Sequence, residues 1–331
     1  MPVIDARIWK RPFSLLAVVA LVLATLPNRP ALALYPERGL RIVVPFAPGG
    51  GTDVVARTLA QEMAKDLGVS VIIENRPGAG TIVGTQAVAV SAADGYTLLM
   101  GTFANAVNPS LNTKLPYDPH KDFAPVALIA RSFNIVVVNP KSQIRTIADL
   151  IAAARANPGK MTFGTFGAGT SAHLAGELFK DMAKVNLTAV PYKGAAPGIT
   201  DLIGGQIDVM FTTVASAASL VESGQLRAIA VTSAERSPAF PQVPTVAEAG
   251  VPGYAAESWY GLFARAGTPP ELIDRLNRSA ASAVESGAFR TLSVNEGLVT
   301  VARPPEALDR YFRAEEERWR RVISEAGIKM E

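Results

Sequence analysis

Arg41-Ile-Val-Val-Pro-Phe-Ala-Pro-Gly-Gly-Gly-Thr-Asp53 decides how this chain is read. Ile42, Val43 and Val44 form a short β-branched run, so Arg41 to Phe46 is expected to be a buried strand. Pro48 and three glycines then turn the chain and leave backbone N–H groups uncovered by side chains. Val55, Leu59, Met63 and Leu67 follow at four-residue spacing, which predicts a helix capped by Thr52 or Asp53 and ended by Gly68. A strand, a bare glycine loop and a helix N-terminus together present convergent donors and a positive dipole end. That combination suits a small anion, most simply a carboxylate; the plainer reading is a flexible turn.

The ends of the chain bound the rest. Arg7, Lys10 and Arg11 precede a 14-residue apolar run from Phe13 to Leu26, and Ala31-Leu32-Ala33 offers a small-x-small cleavage site. This reads as a secretory leader cut after Ala33, with export to the periplasm expected. A run of that length is short for a membrane span, and no membrane insertion of the mature chain is expected. The leader holds four of the 32 basic side chains and one of the 29 acids, so 28 of each remain and the formal charge of +3 falls to zero. Such a balance argues against nucleic acid as a partner. With 0 Cys there are no disulfides, and the remaining residues, about 298, must be held by their core.

Strand and helix patterns alternate along the mature part, which argues α/β architecture. Strands are expected at 69–74, 96–101, 133–138, 161–166, 187–190, 207–212 and 226–232. Residues 109–125 read as an irregular connection. Gly167-Ala-Gly-Thr-Ser171 repeats the first device, a glycine loop after a strand and before a helix. The tail reads as helix over 270–286 and 305–326. Helices at both ends around a self-contained middle predict a discontinuous first lobe, 34–138 plus 259–331, and a second lobe, 139–258. The two glycine loops then face each other across a hinged cleft.

Taken in order, Pro45-Phe-Ala-Pro-Gly-Gly-Gly-Thr-Asp53, Glu74-Asn-Arg-Pro-Gly-Ala-Gly80, Asp94-Gly-Tyr96, Leu115-Pro-Tyr-Asp118, Gly167-Ala-Gly169 with His173, Pro191-Tyr-Lys-Gly194, Val243-Pro-Thr245 and Trp259 before Gly267-Thr-Pro269 carry a resemblance. The chain resembles the solute receptors of tripartite tricarboxylate transporters, the Bug family. The resemblance implies a two-lobed periplasmic-binding-protein fold, type II-like, with mostly parallel sheets joined by two crossover strands. It also implies a small organic carboxylate held by backbone N–H groups and waters, and delivery to a membrane permease of one small and one large subunit. Carried onto this chain, the ligand-binding residues are Ala47, Pro48, Gly49, Gly50, Gly51, Thr52 and Asp53 in the first loop, and Gly167, Gly169, Thr170 and Ser171 in the second. His173, Lys193 and Trp259 complete the set. Relatives often carry two prolines where this chain has Ala47-Pro48.

Several of these residues have two readings from sequence alone. Asp53 is a helix cap or an organiser of bridging waters. His173 is a neutral structural residue or a ligand-side group, Lys193 a partner for a second carboxylate or a surface residue, and Trp259 a cleft wall or hinge packing. No cofactor or metal is expected, because 0 Cys and 2 distant histidines offer no zinc set. Neither glycine loop matches a nucleotide signature, and the Gly-x-Ser-x-Gly elbow of acyl hydrolases is lacking. The expected function is therefore binding rather than catalysis. A sensor subunit, and behind it a periplasmic enzyme acting on a small acid, are the alternatives.

Overall fold

Val55, Ala56, Leu59, Ala60, Met63 and Leu67 fall on one stripe of a 17-residue helix, α1 (Gly51–Leu67), and all are buried. Leu59 is fully buried, so truncating it to Ala is expected to cost about 2–5 kcal/mol. Gly68 ends the helix at φ +72°, a left-handed cap conformation that only glycine adopts without strain. The helix packs beside β1 (Leu40–Val44), a fully apolar strand but for Arg41.

The computed structural model describes residues 35–325 and Ile328, apart from Thr113 and Pro238. The leader and its cleavage site lie outside the described residues. After α1 come β2 (Val71–Asn75), a short 3₁₀ turn at Ala79–Thr81, α2 (Ile82–Ala89), β3 (Thr97–Thr102), α3 (Phe103–Leu111) and β4 (Phe123–Val138). Next are α4 (Ile147–Ala156), β5 (Thr162–Thr165), α5 (Ser171–Ala183), β6 (Thr188–Pro191), α6 (Ala195–Ile203), β7 (Val209–Thr213), α7 (Val214–Glu222) and β8 (Arg227–Val231). The chain finishes with β9 (Glu257–Arg265), α8 (Pro270–Glu285), α9 (Gly287–Glu296), β10 (Val299–Arg303) and α10 (Pro305–Glu325). Among the described residues, no helix is long and apolar enough to cross a membrane.

The strands run in the order β2-β1-β3-β9-β4-β7-β5-β6, with β10 and β8 also joined to β4. β1 lies parallel between β2 and β3, and β5 parallel between β6 and β7, while β9 and β4 run antiparallel to what they touch. The single strand β4 carries both halves of the fold. Up to Phe133 it pairs with β9, and from Asn134 it pairs with β7. Two α/β layers thus hang from one long strand, which is the two-lobed arrangement of a binding protein.

Five elements depart from the sequence reading, among them the unexpected strand β10. β4 begins at Phe123, inside the stretch expected to be irregular; Pro125 is tolerated there because the β9 register shifts between Pro125 and Ala127. α3, α7 and α9 were not expected. α3 spaces Phe103, Val107 and Leu111 four residues apart and α7 carries Val214, Ala217, Ala218 and Val221, but each stripe spans only nine residues, and Pro109, two asparagines and two serines interrupt the helical pattern.

Candidate functional site

The first glycine loop leaves β1 and enters α1 two residues earlier than the sequence suggests. Gly50 is the N-cap, with φ −88° and ψ 168°, and makes no side-chain cap bond. Asp53 therefore sits in the first turn and reaches back: its Oδ2 accepts the Gly49 N–H at 3.0 Å and the Arg57 Nε–H at 2.8 Å, and its Oδ1 accepts from Asn75 Nδ2 at 2.9 Å. Burial pushes the Asp53 carboxyl up, but the bonds from Arg57, Gly49 and Asn75 outweigh it and hold it below its usual value. This carboxylate braces the loop from behind, where its charge is matched by Arg57.

The second glycine loop follows β5 in the same way. Thr170 is the N-cap of α5, and its Oγ1 accepts the His173 N–H at 3.5 Å while donating to the Gly167 carbonyl at 2.8 Å. His173 is buried, and its Nδ1 accepts the Gly169 N–H at 3.3 Å. An accepting Nδ1 requires the neutral ring, as suits a histidine in the first turn of a helix. So His173 shapes the loop.

Between the two loops lies a small cavity lined by Phe46, Thr52, Thr102, Phe103, Phe166, Thr170, Ser171, Thr213 and Ser258. Thr52 stands in the first turn of α1, Thr102 is the N-cap of α3, Thr170 that of α5 and Thr213 that of α7. Four helices begin at this one point, each leaving the C-terminal end of a strand or the loop that follows it. Each N-terminus carries roughly half a positive charge. Not one lining side chain is charged, so the field in the cavity comes from backbone dipoles and hydroxyl groups. Among the described residues the N–H groups of Thr52, Ser171 and Ala172 have no protein acceptor, and they stand in the first turns of α1 and α5.

The lobes are shut over this point. The Gly51 N–H donates to Ser216 Oγ at 2.7 Å and the Ala47 N–H to the Lys193 carbonyl at 3.0 Å. A Cβ on Gly51 would lie 2.3 Å from Thr213 Oγ1, and one on Gly80 would lie 2.3 Å from the Ala168 carbonyl oxygen. The space left is about 10 Å³, room for the centre of a single water-sized sphere.

Comparison with known proteins fits this geometry. Residues 55–328 match the family model described as the tripartite tricarboxylate transporter family receptor. The chain belongs to this receptor family. Among solved structures, the receptor is similar to the periplasmic binding protein BugD, with a TM-score of 0.86, 34% identity and coverage of 89% of this chain and 99% of that one. It is similar also to Rpa4515 of R. palustris with adipate, with a TM-score of 0.86, 38% identity and coverage of 89% and 99%. MatC from Rhodopseudomonas palustris with bound malate matches with a TM-score of 0.84, 33% identity and coverage of 87% and 100%. The family and these neighbours are solute receptors, and so this chain is a solute-binding protein rather than an enzyme.

The receptor fold brings Thr52, Thr170 and Ser171 together at the cavity and sets Ala47 and Gly51 against Lys193 and Ser216, but it sorts the other expected site residues differently. Pro48 and Gly49 are exposed at the loop tip, Gly50 is the N-cap, and Gly167 and Gly169 shape the second loop at positive φ. Lys193 meets the first loop with its carbonyl, and its side chain is exposed. Trp259 lies outside the cavity, fully buried with its ring 6.0 Å from those of both Tyr311 and Phe312 of α10. Alternation along β9 sends Ser258 to the cavity and Trp259 to the opposite face. Thr102, Thr213 and Ser216 were missed by sequence reasoning, because nothing local marks a threonine at the end of a strand as the start of a buried helix.

Proposed function

We propose that this receptor captures a small organic acid by closing two lobes around one of its carboxylates, and passes it to a two-subunit membrane permease, one subunit small and one large. The observation that carries this reading is the convergence of four helix N-termini on a cavity lined by no charged side chain. A carboxylate there meets N–H donors and dipoles that need no reorganisation, and it has no fixed cation to overcome on release. The adipate and malate held by two structural neighbours support the same ligand class. Bare N–H groups on both lobes meet one anion only when the lobes come together, which supplies the differential affinity that closure needs.

We place the first lobe at 34–138 plus 259–331 and the second at 139–258, with export to the periplasm and cleavage after Ala33. Mass spectrometry of the exported protein tests the cleavage: an N-terminus that keeps the apolar run would make the protein an anchored one.

A thermal-shift screen of small mono-, di- and tricarboxylates, with sugars and amines beside them, tests the ligand class. An acid at a hundredfold excess over its Kd adds about 2.7 kcal/mol. If only uncharged or cationic compounds raise the melting temperature, the carboxylate reading fails.

A further inference from the structure

One carboxylate of this protein lies in the seam between the lobes without a counter-charge. Helix α9 packs on α1 and α8, which lie against the first half of the sheet, and on α7, which leaves β7 in the second half. Glu296 is the last residue of α9, and its Oε2 is buried without a hydrogen-bond partner. The negative end of its own helix opposes its charge. Among the described residues the charge that reaches it is Glu222, the last residue of α7, of the same sign and from the other lobe.

Among the described residues the bases on the surrounding elements are matched elsewhere: Arg131 of β4 and Arg236, which line a cavity with Ser293 and Gly297, are paired with Glu257 and Glu248. On α1, Asp53 is paired with Arg57 and Glu62 with Lys65, while Asp66 is paired with Arg275 of α8 and has Arg278 beside it. β9 contributes the buried Tyr260 phenol, whose proton is held on first by burial and further by the Glu296 charge. Tyr260 also pairs across the sheet with Thr102, which lines the cavity. Tyr260 lies near Thr213, Thr213 Oγ1 is 2.7 Å from Ser216 Oγ, and Ser216 receives the Gly51 N–H.

We infer that Glu296 takes up a proton when the two lobes close, so that mild acidity favours the closed receptor and ionisation of Glu296 opposes it. The inference rests on the two-lobed receptor reading, but its test requires no ligand. Burial, and then Glu222, push the Glu296 carboxyl from 4.5 up to about 7 in the closed form. Opening withdraws α7, wets the carboxylate and returns it toward its ordinary value. A raised carboxyl value in the closed form means that closure is favoured as pH falls below about 7 and that the gain is complete below the open-form value. From pH 8 to pH 6 the closed-to-open ratio is expected to rise about tenfold. Glu222 is exposed, so its share is screened and burial dominates.

The chain has 0 Cys, so one cysteine on each lobe, at the exposed Val90 and Lys184, takes a probe pair cleanly. Interlobe distance distributions are then measured on the ligand-free protein at pH 6 and pH 8. The wild type is expected to shift toward the short distance at pH 6 by about tenfold in ratio, and Glu296→Gln to show the pH 6 distribution at both values. Glu222→Gln is expected to keep most of the dependence. A wild-type distribution that does not move between pH 6 and 8 overturns the inference, whether or not any variant folds. So does a Glu296→Gln protein that keeps the wild-type dependence. Either result leaves carboxylate binding untouched, whereas a failed carboxylate screen with pH-dependent closure would remove the ligand reading alone.

Discussion

The Gly51 amide donates to Ser216 Oγ at 2.7 Å, tying the first turn of α1 to the first turn of α7 across the cleft. This bond uses a donor that a helix N-terminus would otherwise leave to water or to an anion. Ser216→Ala should destabilise the closed form by about 1 kcal/mol, weakening carboxylate binding roughly fivefold. Calorimetry with the acid found by screening measures it. An affinity that stays the same or rises would mean that Ser216 competes with the ligand for the Gly51 N–H instead of latching the lobes.

Gly80 offers a sharper steric test. Its added Cβ would stand 2.3 Å from the Ala168 carbonyl oxygen, a backbone atom of the opposing loop that cannot rotate away. Gly80→Ala should therefore prop the cleft open, cutting affinity at least tenfold, and should cost about 1 kcal/mol of stability because φ is +58°. Solution scattering with saturating acid should show a larger radius of gyration than wild type. An unchanged radius would show that the loops do not approach this closely in solution.

Asp53 ties stability to pH. Its carboxyl is held below its usual value, so its contribution is present above the unfolded value near 4 and is lost as pH falls through the folded one. Asp53→Asn should flatten the acid limb of a stability-against-pH curve below about pH 4. Asp53→Ala, which strands the Gly49 N–H and the Arg57 guanidinium, should cost about 1.5–3 kcal/mol at pH 7. Urea melts at pH 3 to 7 give both numbers, and parallel curves for wild type and Asp53→Asn would remove Asp53 from this role.

Trp259 separates packing from recognition. Its ring lies between β9 and α10, so Trp259→Ala should lower stability by about 3–5 kcal/mol. Trp259→Phe, which keeps most of the apolar volume, should leave carboxylate affinity within about twofold, less than 0.5 kcal/mol. A large loss of affinity in a well-folded Trp259→Phe protein would return the indole to the cleft.

Local chemistry was enough to read much of this receptor. The β-branched run before three glycines, the four-residue apolar spacing after them and the cap at Gly68 are all dictated by neighbours in the chain, and α1 follows them to its last residue. The second loop, Gly167 to Ser171, repeats the same local code, so two of the four helix ends at the cavity were legible. The family order of the motifs carried the two-lobed fold and the solute-receptor role. The other two helix ends were not legible. Phe103-Ala-Asn-Ala-Val-Asn-Pro and Val214-Ala-Ser-Ala-Ala-Ser-Leu carry stripes of only two turns with weak helix formers between them, and the fold stabilises them by burying those stripes beside β3 and β7. Which face of β9 lines the cavity depended on a register with β4 that irregularities after Pro125 and Leu128 reset. Nothing local in the sequence sets Glu296 apart from the other acids. Only the packing of α9 onto α7 removed its water and set it near Glu222, because burial and charge proximity are properties of chain segments far apart in sequence, and the tertiary structure alone brings them together.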